Sequence, residues 1–188
     1  CLKIVEMLAN EVAIELAEQT SVPVINGLSD KEHPCQALAD VFTLQEKWGE
    51  VEGKTLVYVG DGNNVCASLI HAAALSGMSF VAVTPTTHQP YAEAAKDFEA
   101  LAISSSASYR YTDSLDGLEG ADAVYTDTWV SMGQEEEAKE RLRDLQDYQI
   151  TPELMASTGK ESYFMHCLPA HRNQEVTDAV IDSSQSLV

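Results

Sequence analysis

The chain has 188 residues and is strongly acidic, with 30 Asp and Glu against 11 Lys and Arg and a formal net charge of −19. We therefore expect neither nucleic acid nor an anionic membrane as a partner, because both are bound through basic patches. The apolar fraction of 45% is enough for a core, and the length predicts one domain, or one domain with part of a neighbour. The dispersed acidic residues suggest a surface adapted to high salt.

The four cysteines, Cys1, Cys35, Cys66 and Cys167, include no pair at C-x-x-C spacing, so neither a zinc knuckle nor a redox dithiol is indicated. Four cysteines in a chain of this length do not make a disulfide scaffold. No apolar run approaches the roughly 20 residues that span a bilayer. The first residues lack a signal-peptide pattern and read as the middle of a protein. We expect a cytoplasmic location.

The first fifty residues contain three predicted elements. Apolar residues at helical spacing predict a helix over 4–18. A short apolar strand is predicted over 21–27, where Pro23 favours an edge position or a strand start. A second helix is predicted from Cys35 to about Trp48, with Pro34 in its first turn.

From residue 54 onward, predicted strands alternate with predicted helices, which is typical of a parallel sheet in a doubly wound α/β domain. Right-handed connections bring the loops that follow the strands to one edge of that sheet. We therefore expect loops 60–64, 127–133 and 166–172 to lie close together. The strands are predicted at 54–59, 79–84, 107–111, 121–126 and 162–167, and the helices at 65–75, 91–101 and 135–146, followed by a short helix with Thr151 as N-cap and one or two turns within 173–183.

Loop 60–64 resembles a dinucleotide-binding turn because a strand precedes it and a helix follows. The match is weak, since Val65 stands where a third glycine is needed and no acidic residue ends the next strand. The two asparagines, Asn63 and Asn64, could offer amide groups to a small polar ligand. Alternatively, they form an Asx-type turn that caps the helix.

Segment 166–172 places a thiol, two imidazoles and a guanidinium at the end of a strand, which Pro169 terminates. Cys167 is either a buried core cysteine or a reactive thiol. Adjacent strand residues face opposite ways, so Asp127 is a better partner for Cys167 than His166 is. A zinc site that includes His33 and these side chains is conceivable, but no ligand pair has the usual spacing.

Segment 33–36 places His33 and Gln36 at the start of a predicted helix. Free N–H groups and the positive end of the helix dipole favour an anion there. The alternative is ordinary N-capping without a ligand.

The segments 33–36 (His-Pro-Cys-Gln), 127–133 (Asp-Thr-Trp-Val-Ser-Met-Gly) and 166–169 (His-Cys-Leu-Pro) resemble, in order and spacing, the motifs of the ornithine carbamoyltransferase family. The resemblance implies transfer of a carbamoyl group from carbamoyl phosphate to the δ-amine of L-ornithine, which gives L-citrulline and phosphate. Relatives that use putrescine or N-acetylornithine remain possible. The family needs no metal and no organic cofactor.

The resemblance also implies roles for single residues. His33 would hydrogen-bond the carbamoyl oxygen and Gln36 the carbamoyl amine, with Cys167 and Leu168 also at carbamoyl phosphate. Cys167 and the Leu168 carbonyl would meet the δ-amine, and a thiolate–carboxylate pair would direct its proton. Catalysis would fall to Cys167, His33 and Asp127. Ornithine itself would be held by Asn64, Asp127, Ser131, Met132, Cys167 and Leu168.

The sequence departs from the family in its first half. It has no Ser-Thr-Arg-Thr-Arg phosphate loop, and its first arginine is Arg110, although a phosphate dianion favours bidentate arginines. We therefore interpret residues 1–47 as a remnant of a carbamoyl-phosphate-binding α/β domain and residues 48–188 as an ornithine-binding domain with a truncated C-terminal helix. We expect this chain to be inactive alone and the full-length protein to be a homotrimer. Alternatives are a non-catalytic amino-acid-binding module, a nicotinamide-binding domain and a cysteine hydrolase.

Overall fold

A computed structural model describes residues 3–103, 105–130 and 137–188. The N-terminal elements are β1 (Lys3–Leu8), α1 (Asn10–Gln19), β2 (Val24–Ser29) and α2 (Pro34–Trp48). The following strands are β3 (Thr55–Val59), β4 (Ser79–Val83), β5 (Tyr109–Thr112), β6 (Ala123–Thr126) and β7 (Tyr163–His166). The following helices are α3 (Asn64–Leu75), α4 (Ala94–Leu101), α5 (Ala138–Leu145), α6 (Pro152–Ala156) and α7 (Asp178–Ile181), and short 3₁₀ turns occupy Leu115–Leu118 and Gln146–Tyr148.

Strands β3 to β7 form a parallel sheet whose order in the described chain is β5-β4-β3-β6-β7. The chain runs outward from β3 to β5 and then returns to place β6 on the other side of β3, with Val57 opposite Val124. The predicted doubly wound sheet is confirmed. Its direction of winding changes between β3 and β6, and in open α/β sheets ligands bind at that switch point, beyond the carboxyl ends of the strands.

Apolar side chains cover both faces of this sheet. On one face α3 packs against the central strands, with Leu69 and Ile70 fully buried. On the other face Val57, Val124 and Phe164 meet residues of α6 and α7. Because β3 and β6 are buried on both faces, their sequences are continuous apolar runs rather than alternating ones, which is why they were recognisable.

The predicted helix over 4–18 is wrong in its first part. Residues Lys3–Leu8 form β1, which pairs in parallel with β2, and the helix begins only at Asn10. The apolar spacing that predicted one helix in fact spans a strand and the helix after it. Pairing with β2 decides the conformation, a tertiary contact that local periodicity does not contain. The strand predicted over 21–27 exists but lies at Val24–Ser29.

Most of the other predicted elements are confirmed with shifted ends. Helix α4 begins at Ala94 rather than at 91, and the helix predicted within 173–183 is limited to Asp178–Ile181. Thr151 caps α6 as predicted, since its side chain accepts the Leu154 N–H. The predicted helix over 135–146 corresponds to α5, and its residues 135 and 136 lie outside the described chain.

Candidate active site at the carboxyl edge of the sheet

A cavity of about 1120 Å³ opens where β3, β6 and β7 end and where α2 begins. It brings together residues from all four segments that the sequence singled out. Those predicted site residues that line it are His33, Asn64, Asp127, Cys167 and Leu168. Ser131 and Met132 lie outside the described residues. The expected convergence of the three strand-end loops is therefore observed, since each contributes to one wall.

The centre of the site is a chain of hydrogen bonds through Asp127, a residue that is 5% exposed. The Cys167 thiol donates to Asp127 Oδ1 at 2.9 Å. The Asn63 amide donates to Asp127 Oδ2 at 2.6 Å, and the Thr128 N–H donates to Oδ1 at 2.7 Å. Both carboxylate oxygens are thus held by donors from different loops, which fixes the direction of the carboxylate.

The surroundings of Cys167 favour the thiol over the thiolate that the family resemblance implied. Burial raises the pKa of Cys167 far above its ordinary value, and the nearby Asp127 charge raises it further. Desolvation and a like charge both disfavour the anion. The sulfur donates its hydrogen to Asp127 and keeps its lone pairs available to a donor in the cavity.

The two asparagines have separate tasks. Asn63 is the N-cap of α3, and its Oδ1 accepts the N–H groups of Val65 and Cys66. Asn64 Nδ2 donates to the Ser29 carbonyl at 2.8 Å and so ties α3 to the end of β2. The Asx-type cap is therefore present at Asn63, which also contacts Asp127, while Asn64 lines the cavity.

Gly62 has a packing role that differs from that of a dinucleotide-binding glycine. A Cβ at this position would lie 2.4 Å from the Gln89 carbonyl carbon and from the Pro90 nitrogen. The Gly62 N–H donates to the His88 carbonyl at 2.9 Å. Loop 85–90 therefore closes directly over the turn, at the place where a pyrophosphate would approach the backbone.

His33 precedes the first residue of α2 and lines the cavity. Its N–H donates to Ser68 Oγ at 2.8 Å, and the Ser68 hydroxyl donates to Glu32. The ring atom Nδ1 is buried and has no hydrogen-bond partner within the described chain. A buried ring nitrogen without a partner is unusual and marks His33 as a candidate for contact with a ligand.

Gln36 lies one turn along α2 and is not part of the cavity wall. Its amide donates to Asp40 Oδ1 at 3.0 Å. Burial raises the pKa of Asp40 to about 6, because the surrounding protein disfavours its charged form. The predicted contact between Gln36 and a carbamoyl group stays a prediction.

The buried pair of His166 and Glu175 supports the turn after β7. The Leu168 N–H donates to His166 Nδ1 at 2.8 Å, so Nδ1 is an acceptor and Nε2 carries the hydrogen. His166 Nε2 lies 3.2 Å from Glu175 Oε1, and both side chains are fully buried. Glu175 also accepts the His171 N–H. Leu168 has φ 58°, a left-handed conformation that is costly for a branched side chain and needs such support.

Both ring nitrogens of His166 are therefore engaged away from the Cys167 sulfur, in agreement with the prediction that His166 is not its base. Asp127, His166 and Cys167 each offer one potential metal-ligand atom, and these atoms lie within 4.8 Å of one another. Each of them already has a hydrogen-bond partner in the protein, namely the Cys167–Asp127 contact and the two contacts of His166.

A buried ion pair that was not predicted from the sequence lies beside the cavity. Arg141, on α5, donates to Asp61 and, through Nε, to the Trp129 carbonyl at 2.8 Å. Its helix is highly charged, a composition typical of a solvated surface. The available signal was spacing, since Arg141 and Leu145 are four residues apart and both face inward.

The fold and site define a class, namely α/β domains that bind a small polar ligand at the switch point of a doubly wound sheet. A family model described as the aspartate/ornithine carbamoyltransferase Asp/Orn binding domain matches residues 52–188. The model of the carbamoyl-P binding domain of the same proteins matches residues 4–46. The chain therefore belongs to the aspartate/ornithine carbamoyltransferase family.

Individual relatives agree with this assignment. The chain is 47% identical over 181 residues to an ornithine carbamoyltransferase of Oceanobacillus iheyensis, which covers 96% of this chain and 56% of the relative. The ornithine carbamoyltransferase structure from Pyrococcus furiosus has a TM-score of 0.93 and 44% identity, covering 100% of this chain and 60% of that one. An acetylornithine transcarbamylase structure complexed with acetylcitrulline has a TM-score of 0.86 and 28% identity. The match covers 99% of this chain and 62% of that one.

The chain thus spans a little over half the length of the curated relatives that it matches. None of the described helices combines the length and the apolarity that a bilayer crossing requires.

Proposed function

We propose that this chain provides the amine-binding side of a carbamoyltransferase that transfers a carbamoyl group from carbamoyl phosphate to the δ-amine of L-ornithine, giving L-citrulline and phosphate in arginine synthesis or breakdown. The observation that carries the proposal is the Cys167–Asp127–Asn63 chain at the wall of the cavity. Family membership supports the same reaction class.

The chemistry requires a neutral amine, because an ammonium group has no lone pair with which to attack. The Cys167 sulfur accepts a hydrogen bond from the amine while its own S–H points to Asp127. Loss of the amine proton to sulfur can then be matched by transfer of the thiol proton to the carboxylate. Asp127 is the final acceptor, so the thiol relays a proton and forms no bond to carbon.

The carbamoyl carbon would lie between this pair and His33. As the amine adds, negative charge grows on the carbamoyl oxygen, and a fixed donor there stabilises the transition state. His33 suits this role because the residue lines the cavity and its buried Nδ1 has no partner among the described atoms. We further propose that Gln36 meets the carbamoyl amine, that the Leu168 carbonyl orients the δ-amine, and that Asn64, Asp127, Ser131 and Met132 hold the amino-acid end.

Binding of the amine substrate tests this function. We expect L-ornithine to bind the chain by isothermal titration calorimetry and Asp127→Asn to weaken binding about 10- to 100-fold, since a charged hydrogen bond contributes about 1.5–3 kcal/mol. Asp147→Asn, at an exposed acidic residue, is the matched control. Equal affinity of Asp127→Asn and the unmodified chain would contradict the assignment.

N-acetyl-L-ornithine is the second candidate, because the acetylornithine transcarbamylase structure shares this fold at 28% identity. Relatives named ornithine carbamoyltransferase are more similar, at 44% to 49% identity. Titration of the same sample with L-ornithine, N-acetyl-L-ornithine and putrescine decides among the three. Tighter binding of either analogue than of L-ornithine would replace the first choice.

We also propose that this chain does not turn over carbamoyl phosphate alone. Among the described cavity-lining residues Arg141 is the one arginine, and Asp61 already pairs with it. A phosphate dianion is bound best by arginines free to make bidentate contacts. We expect no citrulline from the purified chain with both substrates in a colorimetric assay, and citrulline formation at a rate above the protein-free blank would refute this.

We assign residues 1–47 to the carbamoyl-phosphate side and 48–188 to the ornithine side, a homotrimer to the full-length protein, and a cytoplasmic location. A non-catalytic amino-acid-binding module is the competing interpretation. Citrulline formation after the chain is joined to a carbamoyl-phosphate domain from a relative would support catalysis, and ornithine binding without turnover in that fusion would favour the module.

A further inference from the structure

Arg141 is a buried charged residue beside the cavity that the proposed chemistry does not use. The residue is 6% exposed, although it belongs to the strongly charged helix α5. Its guanidinium donates to Asp61 and, at 2.8 Å, to the Trp129 carbonyl. Glu137, the N-cap residue of α5, lies 3.9 Å from Nη1.

Its two buried partners belong to different loops of the site. Asp61 is in the turn between β3 and α3, two residues before Asn63. Trp129 follows Asp127 by two residues after β6. A single planar side chain therefore links the turn that carries the asparagines to the loop that carries the carboxylate. The fixed fork of an arginine suits such a double contact, which a lysine ammonium would not reproduce.

Asp61 has further partners that confirm its inward position. It is 6% exposed, and His88 Nδ1 lies 3.6 Å from its Oδ1. On its other side the His88 ring faces Asp144 of α5, with 3.7 Å between Nε2 and Oδ2. Burial raises the pKa of Asp61, while the Arg141 charge opposes that rise. Loss of the guanidinium would leave a buried carboxylate without its main counter-charge.

We propose that Arg141 is a positioning residue for the amine substrate, because it fixes the Asp61–Asn64 turn and the Asp127–Val130 loop in the spacing that the Cys167–Asp127–Asn63 chain needs. This inference deepens the proposed function and rests on it for the identity of the ligand. Arg141 acts through other residues, since its guanidinium is committed to Asp61 and to the Trp129 carbonyl.

The first test is affinity. We expect Arg141→Lys and Arg141→Gln to weaken L-ornithine binding on the order of 10- to 100-fold in the 188-residue chain, since a misplacement of about 1 Å can have an effect of that size. Arg143→Gln is the matched control, because Arg143 lies two residues along the same helix and its side chain is 67% exposed. Circular dichroism and amide NMR spectra verify that each variant is folded. Folded variants that bind like the control would overturn the proposal.

A second measurement does not depend on ornithine. The chain has two tryptophans, so the Trp129 indole resonance can be assigned by comparison with a Trp48→Phe variant. We expect Arg141→Lys, the variant that retains a positive charge, to shift the Trp129 resonance. We also expect it to increase amide exchange at Asn63 and Thr128 at least tenfold, and Arg143→Gln to do neither.

The two measurements separate the two claims. Unmodified chain that fails to bind ornithine overturns the proposed function, while the exchange data still decide whether Arg141 positions the loops. Faster exchange with unchanged ornithine affinity would limit Arg141 to stability and would overturn its role toward the substrate. Coupling between Arg141→Gln and Asp61→Asn in a double-mutant cycle would support the ion pair as the cause.

Discussion

Cys167 shows how burial changes the chemistry of a residue that a sequence marks as reactive. The thiol lies against Asp127, and both desolvation and that charge raise its pKa. Nucleophilic attack by cysteine requires the thiolate. These surroundings disfavour the cysteine-hydrolase alternative, whereas a neutral thiol that donates to a carboxylate matches the Cys167–Asp127 contact.

The state of this thiol can be measured by alkylation. At pH 7 we expect iodoacetamide to modify the exposed Cys35 at least tenfold faster than Cys167, with sites identified by mass spectrometry. Asp127→Asn removes the charge that is the second cause of the raised pKa, so the thiolate fraction and the alkylation rate of Cys167 should increase. An unchanged or slower rate in Asp127→Asn would argue against this electrostatic explanation.

Asp40 predicts a pH dependence of stability. Burial raises its pKa from about 3.8 to about 6 in the folded chain. As the pH rises, the unfolded state therefore loses this proton before the folded state does, and the free energy of unfolding falls. Between about pH 4 and 6 this group should lower the free energy of unfolding by about 3 kcal/mol. Urea unfolding at pH 4 and pH 7 should therefore show that Asp40→Asn removes this loss.

The control for Asp40 is Asp147→Asn, which neutralises an exposed carboxylate. Subtracting its pH profile removes the general effect of one charge fewer in a strongly acidic chain. If Asp40→Asn and Asp147→Asn have parallel profiles, the raised pKa of Asp40 is wrong.

At the scale of elements, the turn between β3 and α3 is packed too tightly for a pyrophosphate to reach its backbone at Gly62. Gly62 has the loop 85–90 directly above it. Gly62→Ala should therefore destabilise the chain by about 1–3 kcal/mol, the usual cost of overpacking, and should lower the thermal midpoint. The backbone of Gln89 and Pro90 must move to admit the methyl group.

Gly49→Ala is the comparison for Gly62, because Gly49 has φ 79° and open space where a Cβ would stand. That variant measures backbone strain alone, at about 1 kcal/mol. A smaller effect of Gly62→Ala than of Gly49→Ala would show that the turn and the loop over it separate easily.

Some helices and strands are specified by their local sequence, and others are not. Strands β3 and β6 were predictable because both are short apolar runs between turn residues, and Thr151 and Pro152 marked the start of α6. The boundary between β1 and α1 was not, because Val5 and Val12 have a spacing that fits one continuous helix. Pairing of β1 with β2 decides that boundary, and this contact joins residues about 20 positions apart.

The residues of the site likewise divide into those that the sequence predicted and those that it did not. Its polar loops were expected at one sheet edge because connections between parallel strands are right-handed, and the family resemblance singled out His33, Asp127 and Cys167. The pair of Arg141 and Asp61 was not found, since its members are 80 residues apart and each lies among residues typical of a surface. The burial of two residues so far apart in sequence is decided by the folded chain and not by the residues around each of them.

At the scale of the whole molecule, the net charge of −19 opposes the compact state through self-repulsion. Salt shortens the screening distance from about 30 Å at 0.01 M to about 3 Å at 1 M. If the surface is adapted to high salt, the urea midpoint should rise steadily as KCl is raised from about 0.01 M to 2 M. A sorbitol series at matched osmolality separates charge screening from solvent exclusion, and a midpoint indifferent to KCl would remove the adaptation hypothesis.

Helix α2 runs from the cavity to an aromatic contact at its far end. Its first turn adjoins His33 at the cavity, while Trp48 at its far end packs against Tyr163 with 6.0 Å between ring centroids and has the Lys54 ammonium 5.4 Å from its ring. Fifteen residues make a rod of about 22 Å. A tilt of about 5° around the aromatic end would carry His33 about 2 Å toward or away from Cys167, as geometry requires of a rod this long. Because Trp48 packs on Tyr163, the position of that aromatic contact fixes the end of α2 about which such a tilt would move His33.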